Sequence, residues 1–179
     1  TDRGFIKTYD FALTDEPGIY AIGDVGSAPW LAHKASHEGI LAIEHMLGTQ
    51  NLKPLSPQNI PGCTYSSPQI ASIGLTQRQA EDKGLKIKVG TFLGVGNGKA
   101  LAINASDNFI KVIFDETTGE LLGAHLIGQD VTEMIHSFAL AKTLETTEAE
   151  IIHTIFPHPT LSEMIHEAVL NSQGIAIHM

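Results

Sequence analysis

Phe109-Ile110-Lys111-Val112-Ile113-Phe114-Asp115-Glu116-Thr117-Thr118-Gly119-Glu120-Leu121-Leu122-Gly123-Ala124-His125-Leu126-Ile127 reads as two strands joined by a short polar turn. The flanks, near 109–115 and 120–127, are rich in β-branched and aromatic residues. Asp115–Gly119 supplies the turn, so the pair is an antiparallel hairpin. Upstream, a strand is expected near 86–94, and Ile70-Ala71-Ser72-Ile73-Gly74-Leu75 reads as another. Between them Thr76 can cap a short helix through Lys83, which Gly84 ends. Downstream come three helices, near 130–145, 148–155 and 160–171. Strands grouped first and helices grouped last predict an α+β domain, an antiparallel sheet covered by helices, over residues 63–179.

The first 50 residues follow a different pattern. Phe5–Tyr9 and Gly18–Gly23 read as two short strands, and a helix is expected from Trp30 to Leu47 with Gly48 as its stop. Two strands and one helix cannot bury both of their faces, so the sheet they belong to must be completed from elsewhere. Residues 51–62 hold Pro54, Pro57, Pro61 and Gly62, the composition of a linker.

The 179 residues carry 11 Lys+Arg against 20 Asp+Glu, a formal net charge of -9 that repels nucleic acid rather than steering it in. No apolar run approaches the ~20 residues of a membrane span, so a membrane protein is not expected. A basic segment followed by an apolar stretch is absent from the first residues, so no secretory signal is expected in this sequence. Cys63 is the only cysteine. It cannot form an intrachain disulfide, and a reducing compartment follows as the default.

Pro157-His158-Pro159-Thr160-Leu161-Ser162-Glu163 is the stretch most able to carry chemistry. A residue before proline is pushed toward extended geometry, which sets His158 on a rigid turn ahead of a helix. Glu163, about one turn inside that helix, can accept a hydrogen bond from one imidazole nitrogen while the other faces a substrate. The same residues fit a capping box, in which Glu163 serves the backbone of Thr160 and has no chemical role. Spacing leaves both readings open.

Thr14 through Val25 ends a strand-like run in Gly23-Asp24, which would put a carboxylate at a sheet edge, although on the residues alone a solvated turn explains it better. The helix that starts at Trp30-Leu31-Ala32-His33 offers a partly positive N-terminus, while Leu31, Ile40 and Leu41 can pack as an ordinary apolar stripe. His33 and His37 share a helical face without a third ligand placed by the sequence, so no metal site is expected. His153 and His166 read as ordinary helix residues. Gly94–Ala100 lacks the spacing of a phosphate loop and reads as a flexible turn.

The string His158-Pro159-Thr160-Leu161-Ser162-Glu163 at the start of the last helix resembles the C-terminal signature of the lipoamide dehydrogenase branch of the pyridine nucleotide-disulfide oxidoreductases. Leu161 favours that branch over the related glutathione reductases, and Phe156 stands where the branch often has another histidine. Thr14–Val25 is similar to the family segment whose aspartate holds the ribityl chain of FAD. Trp30-Leu31-Ala32-His33-Lys34-Ala35 resembles the start of the helix that points at the flavin. The resemblance implies a remnant of the FAD-binding region over residues 1–50 and an interface domain from Cys63 that forms a homodimer. It implies FAD and NAD as cofactors, His158 and Glu163 as the catalytic pair, and Asp24 with Trp30, Leu31, Ala32 and His33 at the cofactor.

The substrate implied is dihydrolipoamide on the lipoyl domain of a 2-oxo acid dehydrogenase complex. The place implied is the cytoplasm, or the mitochondrial matrix of a eukaryote. The family's paired redox cysteines and glycine-rich dinucleotide turns do not occur in this sequence, which on this reading is the last third or so of such an enzyme and inactive alone. Two alternatives stand beside it: part of a glutathione-reductase-like disulfide reductase, and a dimerisation module without chemistry.

Overall fold

A computed structural model describes Thr1 and residues 3–178. The chain forms two compact units, one ending at Pro57 and the other beginning at Gln58.

In the first unit the two expected strands do not form. In their place are scattered contacts: an isolated bridge between Leu13 and Tyr20, with Ala21 N–H donating to the Ala12 carbonyl at 2.9 Å, and a bond from Ile6 N–H to the Val25 carbonyl at 2.8 Å. The segment that was to end a buried strand is a 3-10 turn, Gly23–Val25, and Ile19 and Ile22 are exposed. The physical reason is the one anticipated for an incomplete sheet: strand-forming side chains have no ladder to join. Helix α1 runs Ala32–Met46, two residues later than its sequence suggested at the start, and Gly48 ends it at a φ of 68°. Leu41 is buried as expected, whereas Ile40 is exposed.

The second unit is a five-stranded antiparallel sheet. Its strands are β1 (Gly62–Thr64), β2 (Gln69–Gly74), β3 (Ile87–Leu93), β4 (Phe109–Asp115) and β5 (Leu121–Gly128), in the order β1-β2-β5-β4-β3. The hairpin that fixes this order is β4–β5. Asp115 accepts hydrogen bonds from the N–H groups of Thr117 and Thr118, and Gly119 takes the left-handed conformation that a β-carbon would disfavour.

Among the described residues there are six α-helices: after α1 come α2 (Gln77–Asp82), α3 (Gly98–Ala102), α4 (Val131–Thr143), α5 (Glu148–His153) and α6 (Glu163–Ser172). Thr76 and Gln79 cap α2 reciprocally, and Thr147 and Glu150 do the same for α5. Among the described residues no helix is long and apolar enough to cross a membrane.

One face of the sheet carries the core. Strand alternation sends Ala71, Leu126, Ile110 and Phe92, a row in register across four strands, to the side occupied by α4 and α6. The next row, Ile73–Ala124–Val112–Gly90, is small at two positions, and there the helices come close. A β-carbon at Gly90 would run into the Ala168 carbonyl of α6. Helix α6 answers with Met164, Ile165, Ala168 and Val169, a buried stripe at helical spacing. Its C-terminal end is tied to β3 by Asn171, which accepts the Thr91 N–H at 3.0 Å, and by Gln173, which accepts from Lys88 at 2.9 Å. The start of α6 is thereby held in a fixed place, and the chemistry-bearing residues sit there. On the other face a smaller cluster of Leu75, Ala80, Ile113 and Leu122 lies beneath α2.

Candidate functional site

The segment from Pro157 to Glu163 lies ahead of α6, which begins at Glu163 itself rather than at Thr160. Glu163 is therefore the first helical residue, not one a turn inside, and its carboxylate sits where the helix dipole favours negative charge. His158 Nδ1 lies 2.9 Å from Glu163 Oε1, and the Thr160 N–H donates to Oε2 at 2.9 Å. Half of the capping box is thus present. The other half is not, because the Thr160 hydroxyl donates to the Pro157 carbonyl at 2.7 Å instead of capping the helix. One carboxylate performs both tasks that the sequence offered as alternatives.

Burial acts to raise the Glu163 carboxyl, but the hydrogen bonds from Thr160 and His158 and the charges of His158 and His178 outweigh it and hold the group below the ordinary glutamate value. The side chain of His158 is 77% exposed against 29% for Glu163. With Nδ1–H donating to Glu163, neutral imidazole presents Nε2 as its acceptor toward the open side.

Asn97 anchors this segment from a distance. Its amide donates to the Thr160 carbonyl at 3.1 Å while its oxygen accepts the Ala100 N–H at 2.8 Å, capping α3. Gly94–Ala100 is consequently a 3-10 turn followed by the start of a capped helix, not a flexible turn as its glycines suggested. Asn97 was missed in the sequence; Asn-Gly-Lys-Ala offers a capping signal, but nothing in it points 63 residues ahead.

His158 and Glu163 open on a groove of about 600 Å³ in the second unit. Phe92, Ile152, Ile155, Phe156 and Ile177 give it apolar walls, and His153, His166 and His178 add imidazoles. His166 hydrogen-bonds the Ile152 carbonyl at 3.0 Å and packs against Phe156 with ring centroids 5.3 Å apart. A second histidine–carboxylate pair, His178 with Glu167 at 2.9 Å, also lines the groove, and no local sequence pattern marks it. Another hollow, about 420 Å³ beside Gln77 and Lys111 on the α2 side, is more open and holds no acid–base pair at hydrogen-bonding distance.

The remaining candidate residues belong to the first unit. Asp24 is exposed on the Gly23–Val25 turn. That turn is fastened to α1 by Glu38, which accepts the Gly23 N–H at 2.9 Å and pairs with the buried Lys34 at 2.6 Å. Trp30, half exposed, donates to the Gly26 carbonyl at 3.3 Å. Leu31 is the N-cap of α1 and supplies no side-chain cap, while Ala32 and His33 are exposed in its first turn. An uncapped helix N-terminus beside an exposed carboxylate suits an anionic ring carrying a hydroxylated chain. Among the described residues no cluster of three His, Cys, Asp or Glu is arranged to hold a metal ion.

Residues 60–169 match the family model described as pyridine nucleotide-disulphide oxidoreductase, dimerisation domain. Similar curated proteins include a dihydrolipoyl dehydrogenase of Zymomonas mobilis, 55% identical over 99% of this chain and 38% of its own length. Another, from Bacillus subtilis, is 49% identical over 99% of this chain and 37% of its own. The chain therefore spans less than two-fifths of these relatives. Among solved structures, LpdA from Mycobacterium tuberculosis superposes with a TM-score of 0.87 at 25% identity, over 92% of this chain and 36% of that one. The Cu(II) complex of the disulfide reductase RclA from Escherichia coli gives 0.84 at 24% identity, covering 94% of this chain and 38% of that one, a likeness of fold.

Proposed function

The chain belongs to the pyridine nucleotide-disulphide oxidoreductases and holds their dimerisation domain, and from that membership we propose that His158 and Glu163 are the proton-handling pair of a dihydrolipoyl dehydrogenase. The observation that carries the reading is the 2.9 Å bond from His158 Nδ1 to a carboxylate that the Thr160 N–H also holds. It fixes the imidazole's orientation and, with Nδ1–H as the donor, makes Nε2 the accepting nitrogen of a residue that lines the groove.

In the proposed reaction, Nε2 takes the proton of one thiol of dihydrolipoamide, and Glu163 stabilises the imidazolium that results. The thiolate attacks one sulfur of an enzyme disulfide, releasing the other as a thiolate and forming a mixed disulfide. Once the imidazolium has passed its proton to the released thiolate, Nε2 takes the proton of the second thiol, whose sulfur attacks the lipoyl sulfur of the mixed disulfide; the lipoamide disulfide closes and the enzyme couple is left reduced. FAD would be held in part by Asp24 and the N-terminal end of α1, and it would supply the electron acceptor between that couple and NAD+. Cys63 is the only cysteine and its thiol is pushed up by burial, so the disulfide is assigned to residues outside this sequence.

Asp24 and the N-terminal end of α1, from Trp30 to His33, fit one edge of a flavin site: the carboxylate for hydroxyls and the positive end of the helix dipole for the anionic reduced ring. The second unit is read as the homodimer interface. A reducing compartment, cytoplasm or mitochondrial matrix, suits a working dithiol.

The test is turnover of dihydrolipoamide by the intact protein that carries this chain. His158→Gln should lower it by roughly a hundredfold or more, in keeping with loss of a general base. Near-normal turnover would remove His158 from the role. The 179 residues expressed by themselves should be colourless and inactive; flavin absorbance in the purified chain would contradict that part.

A further inference from the structure

Glu167 lies one helical turn beyond Glu163 on α6, and it is the more buried of the two, with 7% side-chain exposure against 29%. Three donors converge on it. Ile177 N–H and His178 N–H donate to Oε2 at 3.0 and 3.1 Å, and His178 Nδ1 lies 2.9 Å from Oε1. All three come from the segment that follows α6. That segment leaves the helix at Gly174, whose φ is 74°, bonds Ile175 N–H to the Leu170 carbonyl at 3.1 Å, and doubles back to Glu167. Packing alone would be served by an apolar residue. A buried carboxylate is retained at a cost unless its charge is met, and among the described residues it is 177 and 178 that meet it.

The place to which they are pinned is the groove of His158. Ile177 and His178 line it together with His158 and Glu163. We propose that Glu167 is a positioning residue for the reaction at His158, clamping residues 175–178 as one wall of the groove so that an aliphatic dithiol is received between Ile177 and the apolar opposite side. The proposal rests on the reading of His158 as the base. In it Glu167 touches no substrate; it fixes the shape of the opening while Glu163 fixes the imidazole. The two carboxylates on one helix thus divide binding and proton transfer between them.

This division predicts a kinetic split. In the intact protein, Glu167→Gln keeps the side-chain volume but loses the charge and one acceptor. It should raise KM for dihydrolipoamide about tenfold with kcat within about twofold, the pattern of lost binding rather than lost chemistry. Truncation after Gly174 should do the same, and the double variant should be no worse than the truncation, because both remove one interaction. Amide exchange read on the same variants should show Ile177 and His178 losing protection in Glu167→Gln while Thr160 keeps it. Unchanged protection at 177 and 178 would overturn the clamp. Unchanged KM, or effects of the two changes that multiply, would overturn the positioning role. If Glu167→Gln does not fold, the truncation alone decides by its KM. The base assignment fails separately: a normal kcat in His158→Gln sinks that reading and leaves amide protection to judge the clamp.

Discussion

Replacing Asn97 with alanine should destabilise the second unit by about 2–3 kcal/mol, because one buried amide does two unrelated jobs. Its oxygen caps α3 through Ala100 N–H at 2.8 Å, and loss of such a cap costs about 1 kcal/mol. Its NH2 donates to the Thr160 carbonyl at 3.1 Å, and stranding that partly buried acceptor costs a further ~1–2 kcal/mol. At an unfolding entropy of roughly 2 cal/mol/K per residue, a unit of this size should lose about 10 °C in Tm. Urea titration of the chain measures the first figure and calorimetry the second. Amide exchange then separates the jobs: Asn97→Ala should expose the amide of Ala100, whereas Asn97→Asp, which retains an accepting oxygen, should keep it protected while still losing the bond to Thr160. The His158 ring resonances should shift in both variants, since Thr160 is the link to Glu163. A stability loss under about 0.5 kcal/mol in Asn97→Ala, or unmoved His158 resonances, would refute the claim that Asn97 anchors the site.

Other expectations follow from the same contacts. Gly90→Ala should cost about 3 kcal/mol by forcing α6 away from β3, whereas Gly98→Ala, with open space at that position, should stay within about 0.5 kcal/mol; equal effects in a denaturant series would contradict the close approach. Glu163 and Glu167 are both held below the ordinary glutamate value despite burial, so their contributions are complete above about pH 4.3 and fade as pH falls through the depressed values. Amide protection at Thr160, Ile177 and His178 should hold from pH 7 to about 5 and decline only below about pH 4; a decline centred near pH 6 would mean another group controls it. Asp24→Ala in the intact protein should weaken FAD retention by roughly tenfold, measured by flavin release under dialysis; undiminished retention would detach Asp24 from the flavin.

The parts of the fold legible in the sequence are those whose signals are local. Strands β2 to β5 alternate their side chains toward one helical layer and are separated by turn residues, so the sheet could be laid out before its register was known. Residues 5–9 and 18–23 carry the same strand chemistry and yet form no strands, because a ladder needs partners that a local pattern cannot supply. Asn97 and Glu167 failed to stand out for a related reason: each completes a hydrogen bond to a residue distant in the chain or beyond a helix end. The stretch from Thr160 to Glu163 is more instructive, since local rules and family resemblance offered two roles for one carboxylate as if they competed. A carboxylate has two oxygens. Oε2 takes the Thr160 N–H, as a capping rule requires, and Oε1 takes His158 Nδ1, as a catalytic pair requires. The cap holds the carboxylate still, and a still carboxylate is what can orient an exposed imidazole. Capping therefore supports the proposed chemistry instead of replacing it, and removing the Thr160 contact should disturb His158 even with Glu163 intact.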